Sequence, residues 1–236
     1  MNIVRRHRLL AAVAVLVLIV AAVVVLDRRS ASRPSASAAS NSVAVVSGGA
    51  TNGTGGYPGM PPVLDPVNIY SEIGPGRVQP SIAEDLPRVY VPNGLSDTVS
   101  VIDPAAHTVV ASFKTDREPQ HIVPSYDLKT LWVLDNQGNT VIPINPADGK
   151  PGKPIKVDDP YNLYFTPDGS EAIVVAEAHN RLDFRDPHTM ALKGSLAVPG
   201  CDGINHGDYN ANGGYLIVTC EFAGKVAKID IVRRRV

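Results

Sequence analysis

The chain has 236 residues, 22 basic and 23 acidic side chains, a formal net charge of −1 and 44% hydrophobic content. That length holds one large domain or two small ones, and the even charge balance excludes the broad positive field that nucleic-acid binding requires. Two cysteines cannot build a disulfide framework or a four-thiolate zinc site. Glycine and proline, 20 of each, reach about 17% against a usual ~12%, which excludes a helical bundle and favours a turn-rich β protein.

The first element is an apolar run of 18 residues that opens at Leu9 and closes at Leu26, with no charge and no helix breaker. At ~1.5 Å per residue it would span about 27 Å, close to the ~30 Å hydrocarbon core of a bilayer. Arg5, Arg6 and Arg8 precede it, and the positive-inside rule then keeps the N-terminus in the cytoplasm. Residues 1–29 read as a transmembrane signal anchor or as a cleaved signal peptide, with Ala36-Ser37-Ala38 the nearest cleavage-like site. The expected location is the cell membrane, single-pass with the C-terminal domain extracytoplasmic, or secreted or periplasmic if cleavage occurs.

Residues 30–62 are rich in Ser, Ala, Gly and Pro and lack the apolar density that would offset their ordering entropy, so a flexible linker is expected there. Residues 63–87 form an extended lead-in whose scattered apolar residues are broken by prolines.

From residue 88 the chain repeats. The triplets Val89-Tyr90-Val91, Leu131-Trp132-Val133, Ile173-Val174-Val175 and Leu216-Ile217-Val218 begin 42, 42 and 43 residues apart. A second anchor keeps step: Val101-Ile102-Asp103-Pro104, Pro143-Ile144-Asn145-Pro146, Phe184-Arg185-Asp186-Pro187 and Lys228-Ile229-Asp230. A third is a turn: Ser125-Tyr126-Asp127, Thr166-Pro167-Asp168-Gly169 and Asn210-Ala211-Asn212-Gly213. A period of ~40–45 residues built from short strands and turns points to β-propeller blades. Counted from its apolar triplet, the second unit supplies four strands, at residues 131–135, 140–145, 154–157 and 162–166.

Over residues 88–230 the segments VYVPN…DTVSVID, YFTPDG and YLIVTCEF…KVAKID resemble the YVTN-type, YncE-like β-propeller family, whose bacterial members are often exported. The first turn departs from the family pattern, with Tyr126-Asp127-Leu128 where Pro-Asp-Gly is usual. The resemblance implies an all-β partial propeller of about three and a half four-stranded blades, against a seven-bladed ring in the family. Residues 88–236 are thus expected to be a truncated array, or one that self-associates through open blade edges.

Aligned on the turn, His121, Asn162 and His206 occupy one equivalent position, which the resemblance assigns to the innermost strand at the mouth of the central channel. The adjoining strand would bring Asn93, Asp135, Glu177 and Cys220 to the same mouth, with Glu221 next in sequence. His121, Asn162, His206, Asp135, Glu177 and Glu221 are therefore candidate ligand-rim residues, and polar groups here also serve as hydrogen-bond partners between blades. His121, His206 and Cys220 are candidate ligands for copper or another transition metal. Cys201 and Cys220 flank one predicted hairpin at its open end, and the alternatives there are a disulfide, free thiols or joint metal ligation. Trp132, Tyr161, Tyr164 and Phe165 read as strand core or blade-interface residues. No Walker loop, G-x-S-x-G elbow, H-E-x-x-H or C-x-x-C-H haem motif occurs, and no catalytic residue is assigned.

Two function classes follow. One is a membrane-tethered or exported propeller that acts as a non-enzymatic binding scaffold for a protein or small ligand, with no cofactor. The other is an exported metal-dependent redox enzyme of copper or haem type, with its site at the channel mouth.

Overall fold

The computed structural model describes residues 60–236. The Leu9 to Leu26 run and the linker before Met60 lie outside the described residues, among which no helix is long and apolar enough to cross a membrane. Among the described residues fourteen strands form four antiparallel sheets. Blade 1 holds β1 (Val89–Asn93), β2 (Thr98–Asp103) and β3 (Thr108–Lys114). Blade 2 holds β4 (Pro119–Pro124), β5 (Leu131–Asp135), β6 (Thr140–Ile144) and β7 (Ile155–Lys156). Blade 3 holds β8 (Pro160–Phe165), β9 (Ala172–Ala176), β10 (Arg181–Arg185) and β11 (Leu192–Ala197). Blade 4 holds β12 (Ile204–Tyr209), β13 (Tyr215–Cys220) and β14 (Lys225–Asp230). The fold is all-β, a partial propeller.

The repeated anchors are turns closed by their own side chains. After β2, β6 and β10, the Oδ1 atoms of Asp103, Asn145 and Asp186 accept the backbone N–H groups of Ala105, Ala147 and His188. These Asx turns end the strands just where Pro removes a ladder donor. Between the first two strands of a blade, Ser125 Oγ, Thr166 Oγ1 and Asn210 Oδ1 accept the N–H of Thr130, Glu171 and Tyr215. Inside the same turns Asp127, Asp168 and Asn212 accept the N–H of Lys129, Ser170 and Gly214. Gly169 and Gly213 sit at φ +70° and +68°. Leu128 holds the same place at φ 61°, a left-handed conformation that a bulky residue adopts at a cost of roughly 1–2 kcal/mol.

Phase is the point at which the repeat misleads. Asn162 pairs with Val175 and Leu163 with Val174, so residues 162–166 open blade 3 instead of completing the unit that begins at Leu131. In blades 2, 3 and 4 the first strand precedes the apolar triplet, whereas in blade 1 the triplet lies on β1 itself. Among the described strands, blade 1 therefore begins at the second blade position and blade 4 ends at the third.

The core lies between sheets, not within one layer. Val99 of blade 1 clusters with Val133, Ile142 and Ile144 of blade 2. Trp132, Leu134 and Val141 of blade 2 meet Leu163, Ala172 and Val174 of blade 3. Ile173, Val175, Leu182 and Phe184 of blade 3 meet Ile204, Leu216, Val218 and Ile229 of blade 4. The period-2 alternation of β5 and β9 sends successive side chains to opposite neighbours, which is why both strands read as continuous apolar runs. On the outer side of blade 4, Ile217 and Val226 are exposed.

The lead-in holds one short 3-10 turn at Pro80–Ile82 and no strand. It runs against blade 4: Ile69 N–H donates to Ala211 O at 2.7 Å, and Tyr70 Oη bonds the Asp208 carboxylate and the Tyr209 backbone.

Candidate functional site

The first strand of blade 3 (β8) contacts those of blades 2 and 4 (β4 and β12) on either side. Each begins with a register irregularity: between Pro119 and His121, between Pro160 and Asn162, and between Ile204 and Gly207. The residue before each strand, Glu118, Asp159 or Gly203, has positive φ. Such bulges re-aim side chains at the end of a sheet. Side-chain acceptors hold the loops in place, since Asp97 accepts Glu118 N–H and Asn139 accepts Asp159 N–H. Asp159 in turn accepts Asn136 Nδ2 and the N–H of Ala178.

Three side chains converge at this end. The ring centroids of His121 and Tyr161 lie 5.0 Å apart, those of His121 and His206 5.3 Å, and those of Tyr161 and His206 5.8 Å, with edge-on packing throughout. His121 Nδ1 is 2.7 Å from the carbonyl oxygen of Tyr161, which can only accept, so Nδ1 carries the proton. His121 Nε2 then presents a lone pair, and His206 Nε2 lies 3.3 Å from it across 85 residues of sequence. Burial lowers the His121 pKa below the usual imidazole value and the His206 ring adds to the effect, against the pull of the Tyr161 carbonyl. At neutral pH the ring is an uncharged donor–acceptor.

Acidic groups surround the trio. Burial raises the Glu177 carboxyl, and repulsion from Asp159, Glu221 and Glu118 raises it further. Burial also raises the Tyr161 phenol, with Glu177 and Glu221 contributing. Glu221 accepts Asn205 Nδ2 at 2.5 Å. Tyr161, Asn205, His206, Glu221 and Lys225 line an open cleft of about 640 Å³.

The sequence-derived rim is thus only partly assembled. His121 and His206 meet, and Glu177 and Glu221 flank them. Asn162 does not join: it is buried, its Oδ1 accepts Leu163 N–H, and its Nδ2 donates to Tyr164 Oη. Tyr161 stands at the rim in its place, packed between His121 of blade 2 and His206 of blade 4 as a blade-interface residue. Asp135 is fully buried and turned to its own blade, accepting Thr140 Oγ1 and Asp116 N–H, and burial pushes its carboxyl up to about 6. Asn93 bonds Thr98 and Ser100 within blade 1.

Cys220 is joined to Cys201 in a disulfide with Cα atoms 4.7 Å apart, so neither sulfur offers a thiolate to a metal. The expected donor set His121, His206 and Cys220 reduces to two imidazoles, because a bonded sulfur cannot ligate as Cys S⁻. Among the described residues no group of three or more His, Cys, Asp or Glu is arranged to hold a metal ion. Glu118 and Asn205 were not singled out from sequence; the signal available was their place beside the two histidines on equivalent strands.

The sequence model of the YNCE-like beta-propeller family matches residues 78–195. The chain belongs to the YncE-like β-propeller family. Among solved structures, Kuenenia stuttgartiensis hydrazine synthase superposes with a TM-score of 0.53 at 21% identity, over 69% of this chain and 50% of that one. Dihydro-heme d1 dehydrogenase NirN in complex with DHE gives a TM-score of 0.50 at 16% identity, over 63% of this chain and 33% of that one. At such identities the likeness shows the fold alone, and the chain spans half of the first protein and a third of the second. No curated protein matches the sequence.

Proposed function

We propose that this YncE-like propeller is an extracytoplasmic, membrane-tethered binding scaffold whose recognition face is the inner-strand rim of blades 2 to 4. The observation that carries this reading is the convergence of His121, Tyr161 and His206 from three consecutive blades beside an open cleft. Aromatic and imidazole edges of this kind contribute apolar area and directional polar contacts at low entropic cost, as binding surfaces need. The carboxylates of Asp159, Glu221 and Glu118 repel that of Glu177, and a cationic partner group would relieve that repulsion. The apolar run from Leu9 to Leu26, with Arg5, Arg6 and Arg8 before it, supports the tether and its orientation.

Photocrosslinking in the native host tests this. A benzophenone side chain at Tyr161 should give a discrete adduct, and one at Val110 on β3 should not. A topology reporter fused after Val236 should be active only outside the cytoplasm. Absence of any adduct specific to position 161, or reporter activity inside the cell, would overturn the reading.

A further inference from the structure

The geometry points to an exchangeable site for a divalent late first-row transition ion, Cu(II), Ni(II) or Zn(II), held by His121 Nε2 and His206 Nε2. We infer that such an ion clips the inner strands of blades 2 and 4 together across blade 3. This rests on the rim reading only for its location.

The separation of the two ligating atoms fits a shared ion. Two nitrogens that each bind one metal at ~2.0–2.1 Å with tetrahedral angles lie about 3.3–3.4 Å apart. The two Nε2 atoms are separated by 3.3 Å. The same distance fits a hydrogen bond from His206 Nε2–H to the His121 lone pair, so the pair can be held by a proton or by a metal ion; when the ion binds, that proton moves through solvent to His206 Nδ1 and frees the Nε2 lone pair.

Orientation is the second observation. Histidines that ligate metals through one ring nitrogen almost always donate from the other to a carbonyl or carboxylate, which fixes the tautomer and the ring plane. His121 does this through Nδ1 to the Tyr161 carbonyl at 2.7 Å. Tyr161 also packs edge-on against both imidazoles, which restricts their rotation. The ligating lone pair is therefore pre-aimed before any ion arrives, lowering the reorganisation that binding requires.

Charge is the third. Glu118, Glu177 and Glu221 give the rim a negative field that draws a divalent ion in and disfavours anionic ligands. With two protein donors the remaining coordination positions fall to water or to a partner's side chain, which makes the ion exchangeable. Among the three ions the Irving–Williams order puts Cu(II) first.

The test uses the full chain in detergent micelles, stripped with chelator and titrated separately with Cu(II), Ni(II) and Zn(II). The expected result is one ion per chain, nitrogen hyperfine structure from two imidazoles in the Cu(II) electron paramagnetic resonance spectrum, and a rise in melting temperature. Affinity should fall by 100-fold or more in His121→Gln and again in His206→Gln, each of which keeps a polar side chain in place. His107→Asn, on the exposed turn between β2 and β3 and away from the rim, should bind within about threefold of the parent. No stoichiometric binding, or binding that either glutamine variant leaves intact, would overturn the site. The two proposals fail separately: adducts at position 161 without ion binding leave the scaffold standing and remove the metal, and ion binding without adducts does the reverse.

Discussion

Replacing both Cys201 and Cys220 by alanine should lower stability by about 3 kcal/mol. The cysteines are 19 residues apart and tie the loop after β11 to the end of β13. In the chain-entropy account, opening a loop of that size releases on the order of 3 kcal/mol of denatured-state freedom. Both side chains are also only 2% exposed and sit in the blade 3–blade 4 core with Ile173, Leu216 and Ile229, so truncation removes some packing as well. For a folded region of this size each kcal/mol moves the midpoint by roughly 2–4 °C, giving an expected fall of about 6–12 °C. Circular dichroism melts of parent and variant, each with and without reductant, separate the two contributions. Reductant should lower the parent midpoint towards that of the variant and leave the variant unmoved. A parent that melts within about 2 °C of the variant, or a variant equally sensitive to reductant, would refute the reasoning.

Asp135 carries a pH signature. Its folded pKa, raised by burial to about 6 from 3.8, means that the folded state prefers the protonated acid. Its contribution to stability is therefore complete below pH ~4 and is lost as pH rises through about 6, a penalty on the order of 2–3 kcal/mol at neutral pH. Asp135→Asn should be more stable than the parent at pH 7 and equal to it near pH 4 in urea unfolding; a pH-independent difference would contradict this. Gly169→Ala should cost about 1–3 kcal/mol, since φ is +70° and a new Cβ would lie 2.4 Å from the Tyr126 ring. A midpoint unchanged in urea would mean that the Tyr126 contact to this turn is dispensable.

Much of the fold was legible because the repeat is written in hydrogen-bonding residues. Asp103, Asn145 and Asp186 recur because each closes an Asx turn, and Asp127, Asp168 and Asn212 because each closes the hairpin on the other side of the blade. A conserved interval does not say where a sheet begins, and strand pairing alone assigns β8 to blade 3. The site was half legible for a related reason. Counting back from the turns found His121 and His206, but the same count selected Asn162 over Tyr161. The same register shift precedes all three positions, so the difference lies in Asn162 itself: its short amide is taken up by Leu163 N–H and Tyr164 Oη, which spacing along the strand does not reveal. Asp135 was legible as a strand end near the mouth; its burial depends on Thr140 and on the loop at Asp116, neither of which the repeat marks.

The claim on which the binding face and the metal clip both depend is that His121 and His206, 85 residues apart, form one site through blade 3. A double-mutant cycle measures it directly: His121→Ala, His206→Ala and the double variant, unfolded in urea with chelator present. The account predicts a coupling of about 0.5–1.5 kcal/mol, the net worth of one hydrogen bond with its ring contact. Single effects that add to within about 0.3 kcal/mol would contradict it.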